Sequence, residues 1–373
     1  MANALFNDNK MKLGVFGPNV SHGCAATTAE GHFVLNWANS RDIVETADRI
    51  GLEALVPVAR WKGFGGPTNF NGASYESLSW AAAMGAISRS STIFSTTHVP
   101  TMHPVAAAKQ CVTADHASNG RFALNVVCGW STPDLEMFGA SVADHERRYE
   151  MASEWLDIIR RLWIADGEFD FEGKFYKVPK GFAEPKPIQE PYPPIMNAGA
   201  SPIGARFAAK YADIAFTVFF EGAFDANKAQ VDNLRRVARE DFHRTLQVWT
   251  GVFVVCRPTE KEAQDYANYY IYEKGDWEAV ENLTRELGLK ASEYLSPEQL
   301  QRVKYRFVAG WGGLPVIGTP EQVVDQLLEL SRTGLDGVVL SWVNYHQEMR
   351  EWARDVLPVM EQAGLRKPFR PVT

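Results

Sequence analysis

Short apolar runs alternate with segments of helical periodicity along the whole chain. The early runs are nearly continuous in apolar residues, which is typical of strands buried on both faces of a parallel sheet. They predict strands at Lys12–Phe16, Ala54–Val58, Thr92–Thr97 and Phe122–Val127. The segments between them predict helices at Asp42–Ile50, Tyr75–Ile87 and Pro104–Ser118. Pro104 suits a helix start, since proline is favoured at the first helical position.

The same alternation continues after residue 150. A helix with one apolar face is predicted where apolar side chains recur at helical spacing, at Met151, Trp155, Ile158, Ile159 and Leu162. Four strand-helix units follow: Ile195–Ala198 with Ser201–Tyr211, Ile214–Val218 with Ala226–Glu240, Leu246–Cys256 with Glu260–Tyr270, and Gly337–Ser341 with Glu348–Ala363. Another amphipathic helix, Glu321–Arg332, precedes the last strand.

Eight such units predict a (β/α)8 TIM barrel, an α/β fold, as a single domain over residues 1–373. The alternative is an open, doubly wound sheet. The segment GPNVSHG (17–23) lacks the glycine-rich dinucleotide turn that such a sheet usually carries after its first strand. Insertions are expected at about 163–193, as a hairpin (FDFEGKFY) with a proline-rich return, and at about 271–315, as a mostly polar excursion. Insertions of this kind cover sites or build interfaces.

Charge and composition exclude several classes of protein. With 38 basic and 45 acidic residues the net charge is −7, which argues against nucleic acid or an anionic membrane as a partner. The four cysteines are scattered, with no pair at two-residue spacing, so neither a disulfide framework nor a zinc site is expected. No signal peptide and no apolar run of about 18 residues is found, so the sequence predicts a soluble cytoplasmic protein.

The candidate chemistry lies where strands end, because barrel enzymes carry their functional side chains at the carboxyl ends of the strands. These positions include Asn19, Arg60, Thr96, His98 and Asn125. The set is polar but lacks the paired carboxylates of a glycosidase and the carboxylate-histidine cluster of a metal hydrolase. No metal site is predicted, and no phosphate-binding loop of the Walker type or nucleophile elbow occurs.

Two features suggest an anion site. In NAGASPIG (197–204), Ser201 is a natural N-cap with Pro202 at the first helical position, and free amides at such an end bind phosphate. Arg147 and Arg148, next to Tyr149, open another helix and could supply a charge-assisted contact. An ordinary capped helix and solvated arginines remain open as alternatives.

Seven motifs, in a fixed order along the chain, identify the family that this sequence resembles. They are KLGVFGPNVS (12–21), RWKGFGG (60–66), NGRFALNVVCGW (119–130), HERRYE (145–150), FEGKFYKV (171–178), NAGAS (197–201) and IGTPEQV (317–323). With them the chain resembles the bacterial luciferase-like family of flavin-dependent monooxygenases, most closely the subgroup of the pyrimidine and dimethylsulfone monooxygenases.

The resemblance implies a barrel that binds FMN non-covalently, as a homodimer or homotetramer, and receives reduced FMN from a separate NAD(P)H:flavin reductase. With O2, such a two-component enzyme oxidises or cleaves a small heteroaromatic or organosulfur substrate through a flavin-peroxide or flavin-oxide intermediate. Specificity is expected in the regions of weakest resemblance, near residues 20–35, 61–72 and 271–315.

The resemblance also implies roles for individual residues. Ala59 and Arg60 flank the flavin ring, and Thr96 and Asn125 line the oxygen pocket and are the catalytic candidates. Asp134 matches a flavin-contacting acidic position, although Asp is shorter than the Glu of the pyrimidine enzyme. The expected phosphate contacts are Arg148, Tyr149 and the turn Gly199, Ala200 and Ser201.

Three alternatives share this barrel. An oxygen-dependent riboflavin-cleaving lyase would use the same cofactor residues, with an aromatic pocket that includes Trp61, Trp130 and Trp342. A deazaflavin-dependent dehydrogenase would move hydride instead of oxygen. A non-catalytic flavin-binding protein would bind FMN without turnover.

Overall fold

The computed structural model describes residues 3–140, 144–199, 201–289 and 296–370. Its strands are β1 Lys12–Phe16, β2 Ala54–Val56, β3 Thr92–His98, β4 Phe122–Val127, β5 Phe169–Glu172, β6 Lys177–Gly181, β7 Ile195–Asn197, β8 Ile214–Phe216, β9 Gln247–Cys256, β10 Leu314–Gly318 and β11 Gly337–Ser341.

The helices of the described ranges are α1 Trp37–Arg49, α2 Ser77–Ile87, α3 Pro104–Ala117, α4 Thr132–Glu136, α5 His145–Ile164, α6 Pro202–Tyr211, α7 Phe224–Phe242, α8 Glu260–Asn268, α9 Trp277–Glu286, α10 Pro297–Gly310, α11 Pro320–Arg332, α12 Tyr345–Glu351 and α13 Leu357–Gln362. A π-helical turn, Trp352–Val356, joins the last two. None of these helices has the length and apolarity needed to cross a lipid bilayer.

Eight parallel strands close into a barrel, in the order β1, β2, β3, β4, β7, β8, β9, β11 and back to β1. Closure is made by β9, whose first residues pair with β8 (Ile214 opposite Gln247) while its middle pairs with β11 (Gly337 opposite Trp249). The predicted TIM barrel is therefore confirmed, and the open doubly wound sheet is excluded because the sheet has no free edge at this point.

The eight predicted barrel strands are all present, with small shifts at their ends. β2 stops at Val56 instead of Val58, because Pro57 has no N–H to continue the ladder. α1 begins at Trp37, before the predicted Asp42, since the side chain of Asn36 caps it by accepting from the Asn39 N–H at 2.8 Å. The single helix predicted over Glu348–Ala363 is broken by the π-helical turn just before Pro358, which cannot donate a helical hydrogen bond.

The described residues of both insertions include helices or strands. Residues 163–193 include the predicted hairpin, in which β5 and β6 are antiparallel. Residues 271–315 are not a featureless polar excursion: they contain α9 and α10 and lead into β10, a ninth strand that pairs with the last five residues of β9. Asn282 of α9 donates to the Phe64 carbonyl at 2.8 Å, so this insertion covers the loop that follows β2.

The inside of the barrel is filled with side chains and is not a channel. Phe94, Met196 and Trp249 are buried there among smaller residues. Gly337 is required beside the Trp249 indole, because a Cβ at that position would lie 2.5 Å from the ring. A filled interior leaves the carboxyl ends of the strands as the place for a site.

A buried carboxylate ties the chain together at the start of β1 and β2. One oxygen of Glu53 accepts from the Leu13 N–H and from Arg366, each at 2.8 Å, and the other accepts from the Asn9 amide at 2.6 Å. Glu53 and Arg366 are both almost fully buried. The pair therefore joins the beginning of the barrel to its C-terminal segment.

We expect Glu53→Gln to lower the free energy of unfolding by about 3 kcal/mol, because it leaves the Arg366 charge buried without a counter-charge. Urea unfolding followed by circular dichroism measures this. The control is Glu172→Gln, which removes the carboxylate of an exposed ion pair with Lys177 and should change stability far less. Equal losses in the two variants would contradict the structural role assigned to Glu53.

Candidate active site

Two cavities lie side by side at the carboxyl ends of the strands. The inner cavity, of about 190 Å³, is lined by Thr96 and Asn125 over the strand ends. The outer cavity, of about 420 Å³, is lined by Trp61 and Phe138. They share four residues, Ala59, Arg60, Thr96 and His98. A molecule in one cavity would therefore touch a molecule in the other.

A larger groove, of about 860 Å³, lies elsewhere, beside the end of β9. Its half-buried cation, Arg257, is already paired with Glu348 at 2.9 Å and stacks on the Tyr266 ring at 4.0 Å. None of the cofactor-binding or catalytic residues expected from the sequence lines this groove, although Pro320 and Glu321 of the motif IGTPEQV do. The two cavities over the strand ends are therefore the better candidate site.

Thr96 and Asn125 are directly opposite each other on β3 and β4. The Asn125 amide donates to the Thr96 hydroxyl at 3.1 Å, and that hydroxyl donates its proton to the Pro57 carbonyl at 2.6 Å. The Asn125 side-chain oxygen is buried and accepts no hydrogen bond from the described residues. Because an unsatisfied buried acceptor is costly, this oxygen is suited to an N–H donor of a ligand in the inner cavity.

Arg60 is a buried cation held by carboxylates from two other segments. Its guanidinium is 3.1 Å from Asp134 and 3.6 Å from Glu286, and it lies over the Phe64 ring at 4.1 Å. Burial lowers the pKa of the Arg60 guanidinium, and the two carboxylates oppose that shift. The charge of Arg60 is thus balanced within the protein, although the residue lines both cavities.

Asp134, which the resemblance places in contact with the flavin, is paired with Arg60 in this structure. It sits in the first turn of α4, fully buried, with one oxygen accepting from the Lys62 N–H at 2.9 Å and the other paired with Arg60. It lines neither cavity. Asp134 thus holds the loop after β2 against α4, and its contact with the flavin stays a prediction.

The anion features predicted from two distant segments meet at the N-terminus of α6. Ser201 caps this helix by accepting from the Gly204 N–H at 3.1 Å, and the Tyr149 hydroxyl hydrogen bonds to Ser201. The approach is close: a Cβ on Gly199 would lie 2.7 Å from the Gly204 Cα, and a Cβ on Gly204 would lie 2.5 Å from the Tyr149 hydroxyl. Close packing therefore requires both glycines at this helix N-terminus, which with Tyr149 and Ser201 is called the cradle below.

The electrostatics of this cradle suit an anion. Arg148 donates to the Gly129 carbonyl at the end of β4. Burial raises the pKa of the Tyr149 phenol, which therefore stays protonated and can donate. Arg147, in contrast, lies over the Phe175 ring of the hairpin at 5.5 Å and faces away. Ala200 lies outside the described residues.

The cradle lies next to the inner cavity along the chain. β4 and β7 are neighbours, with Asn125 opposite Met196, and Ala198 just after β7 lines the inner cavity. Gly199 is the next residue. The mouth of the barrel thus combines a neutral cavity with an anion cradle beside it.

Sequence reasoning missed two residues of this site as binding residues. The sequence places His98 among the strand-end candidates but assigns it no binding role, although it stands two residues after Thr96 on the same face of β3. Trp311 follows α10 in a left-handed conformation and lines the inner cavity, which no local pattern indicates. Within the described ranges, no three His, Cys, Asp or Glu side chains are grouped as metal ligands.

Comparison with known proteins agrees with this geometry. The family model for luciferase-like monooxygenases matches residues 11–337. The chain belongs to this family. The luciferase-like resemblance expected from the seven motifs is therefore confirmed.

Relatives match along almost the whole chain. An FMNH2-dependent dimethylsulfone monooxygenase of Pseudomonas putida is 27% identical over 358 residues, 94% of this chain and 96% of that protein. The pyrimidine monooxygenase RutA of Acinetobacter baylyi is 27% identical over 369 residues, 97% and 98% of the two chains. Among solved structures, a riboflavin lyase (RcaE) with modified FMN and riboflavin has a TM-score of 0.84 at 19% identity, covering 97% of this chain and 94% of that one.

Proposed function

We propose that this luciferase-like protein is a two-component, FMN-dependent monooxygenase. It takes reduced FMN from a separate NAD(P)H:flavin reductase and uses O2 to oxidise or cleave a small heteroaromatic or organosulfur substrate. The observation that carries the proposal is the neutral inner cavity with the capped N-terminus of α6 next to it, where Tyr149 contacts Ser201. A flavin mononucleotide has this form, with a polar ring at one end and a phosphate at the other.

The residues present fit such a cofactor at both ends. Arg148, Tyr149 and Ser201 would hold the phosphate at the N-terminus of α6, where the helix dipole favours an anion. At the other end, the buried Asn125 oxygen would receive an N–H of the ring system. When bound, reduced FMN supplies two electrons, so that one atom of O2 enters the substrate and the other leaves as water.

The side chains of the inner cavity suit oxygen chemistry. Thr96 and Asn125 are neutral, and the Thr96 proton is engaged by the Pro57 carbonyl. They can stabilise developing charge on oxygen without acting as strong acids. Trp130 and Trp311 form apolar walls that exclude water from the reacting centre.

The riboflavin-cleaving alternative loses part of its support. Of the three tryptophans considered for its pocket, Trp342 is buried against Tyr345 and Trp352 and lines neither cavity. Trp61 and Trp130 do line the cavities. The homo-oligomeric state and the flavin-peroxide or flavin-oxide intermediate stay predictions.

The proposal is tested by turnover with a flavin reductase, NADH, FMN and labelled ¹⁸O2. Pyrimidines, sulfones and riboflavin are offered in turn, and products are analysed by mass spectrometry. We expect one labelled oxygen atom in the product of a pyrimidine or sulfone. A product that contains no ¹⁸O would contradict the proposal. Conversion of riboflavin alone would also contradict it and would favour the riboflavin-cleaving lyase.

Arg148→Ala should weaken FMN binding by about ten- to a hundredfold, because a charge-assisted contact to phosphate is worth about 1.5–3 kcal/mol. Riboflavin, which has no phosphate, should lose little affinity. Both ligands are titrated by fluorescence quenching. Arg147→Ala is the matched control and should bind FMN normally, since Arg147 faces the hairpin. A similar loss for both ligands would refute the phosphate contact.

Asn125→Ala should impair the reaction with oxygen more than the binding of reduced FMN. The variant loses the acceptor and also its hydrogen bond to Thr96. Anaerobic titration gives the affinity, and stopped-flow mixing with oxygen gives the oxidation rate of the bound flavin. If affinity and oxidation rate fell together, Asn125 would serve mainly to hold the ring.

A further inference from the structure

The outer cavity extends beyond the proposed cofactor site, to Trp61 and Phe138, which have no role in that site. Its volume of about 420 Å³ lies within the range of small-molecule binding sites. It borders the inner cavity through Ala59, Thr96 and His98. A molecule bound there would lie directly beside the flavin ring of the proposed function.

The charged side chains that line the outer cavity are already engaged. Both oxygens of Glu76 cap α2, accepting from the Leu78 N–H at 2.9 Å and the Ser79 N–H at 2.8 Å. Arg60 is balanced by Asp134 at 3.1 Å. A charged ligand would lose its hydration here without gaining a counter-charge, which is costly. The cavity therefore favours an uncharged molecule.

Aromatic side chains stand at the entrance of the outer cavity. Trp61 and Phe138 are 43% and 42% exposed, and their rings meet edge to face with centroids 5.0 Å apart. Met137 beside them is also exposed. Aromatic pairs of this kind offer a surface on which a flat ring can stack. An exposed apolar surface of this kind is typical of a binding site, and a flat ring bound there would cover it.

His98 supplies a polar contact between the two cavities. It is only 3% exposed, it lines both of them, and its Nδ1 has no hydrogen-bond partner among the described residues. Burial, with the charge of Arg60, lowers the pKa of the His98 imidazole to about 4. At neutral pH the ring is therefore uncharged, with one nitrogen that donates and one that accepts.

We propose that the outer cavity binds an uncharged, flat heteroaromatic substrate and that His98 hydrogen bonds to it. This inference rests on the proposed function and narrows its substrate class. Of the two substrate classes in the proposed function, it favours the heteroaromatic one over the organosulfur one. It assigns substrate binding to Trp61, Phe138 and His98. His98 is a substrate-binding residue in this account and transfers no proton.

The test is calorimetric binding to the FMN-loaded protein, without turnover. The probes are 2-pyridone, 2-quinolone and benzimidazole, each compared with its carboxylate derivative. We expect at least one uncharged probe to bind, and its carboxylate to bind at least tenfold more weakly. Equal or tighter binding of the carboxylates, or no binding of any uncharged probe, would overturn the inference.

Two variants locate the probe. Phe138→Ala, which changes a residue of the outer cavity only, should weaken the probe several-fold and leave FMN affinity unchanged. His98→Phe should weaken the probe about tenfold, and His98→Asn, which keeps a donor and an acceptor, should recover part of that loss. His103→Phe is the control, because His103 caps α3 outside both cavities.

Stability separates a binding role of His98 from a structural one. Because Nδ1 has no partner in the described part of the chain, His98→Phe should not lower the free energy of unfolding. A destabilised His98→Phe, with no rescue of probe binding by His98→Asn, would assign His98 to packing. Failure of FMN itself to bind would overturn the proposed function, whereas normal FMN binding without probe binding would overturn only this inference.

Discussion

The buried charge of Arg60 is the constraint on which the mouth of the barrel depends. A guanidinium with so little exposure must be paired, and its partners Asp134 and Glu286 come from segments far away in the sequence. These two ion pairs connect the loop after β2, which carries Arg60, to α4, which carries Asp134, and to α9, which carries Glu286. Arg60 itself is part of the wall that the inner and outer cavities share.

Because the Arg60 charge is balanced within the protein, the site has a neutral region and a separate positive region. The inner cavity keeps neutral groups, Thr96 and Asn125, where oxygen would react, while positive charge is kept at the cradle by Arg148. In the proposed function, a phosphate would be attracted to one end, and a neutral flat ring would be accommodated at the other. The outer cavity extends the neutral region to the proposed substrate.

Much of the barrel could be predicted from the sequence because parallel strands buried on both faces leave long apolar runs. The apolar pattern does not predict β10, because its five residues alternate between buried and half-buried positions and include Pro315. Thr96 and Asn125 were predicted from their positions in strands, and the cradle from the cap at Ser201. The inward turn of Asp134 could not be predicted, because it depends on a partner, Arg60, that is distant in the sequence.

The most direct test of the central claim is anaerobic titration of the purified protein with reduced FMN, followed by mixing with oxygen in a stopped-flow spectrometer. We predict saturable binding of reduced FMN and an oxidation time course of the bound flavin that differs from that of free reduced FMN. If reduced FMN does not bind, or if its reaction with oxygen is unchanged by the protein, the proposed use of the barrel mouth is wrong.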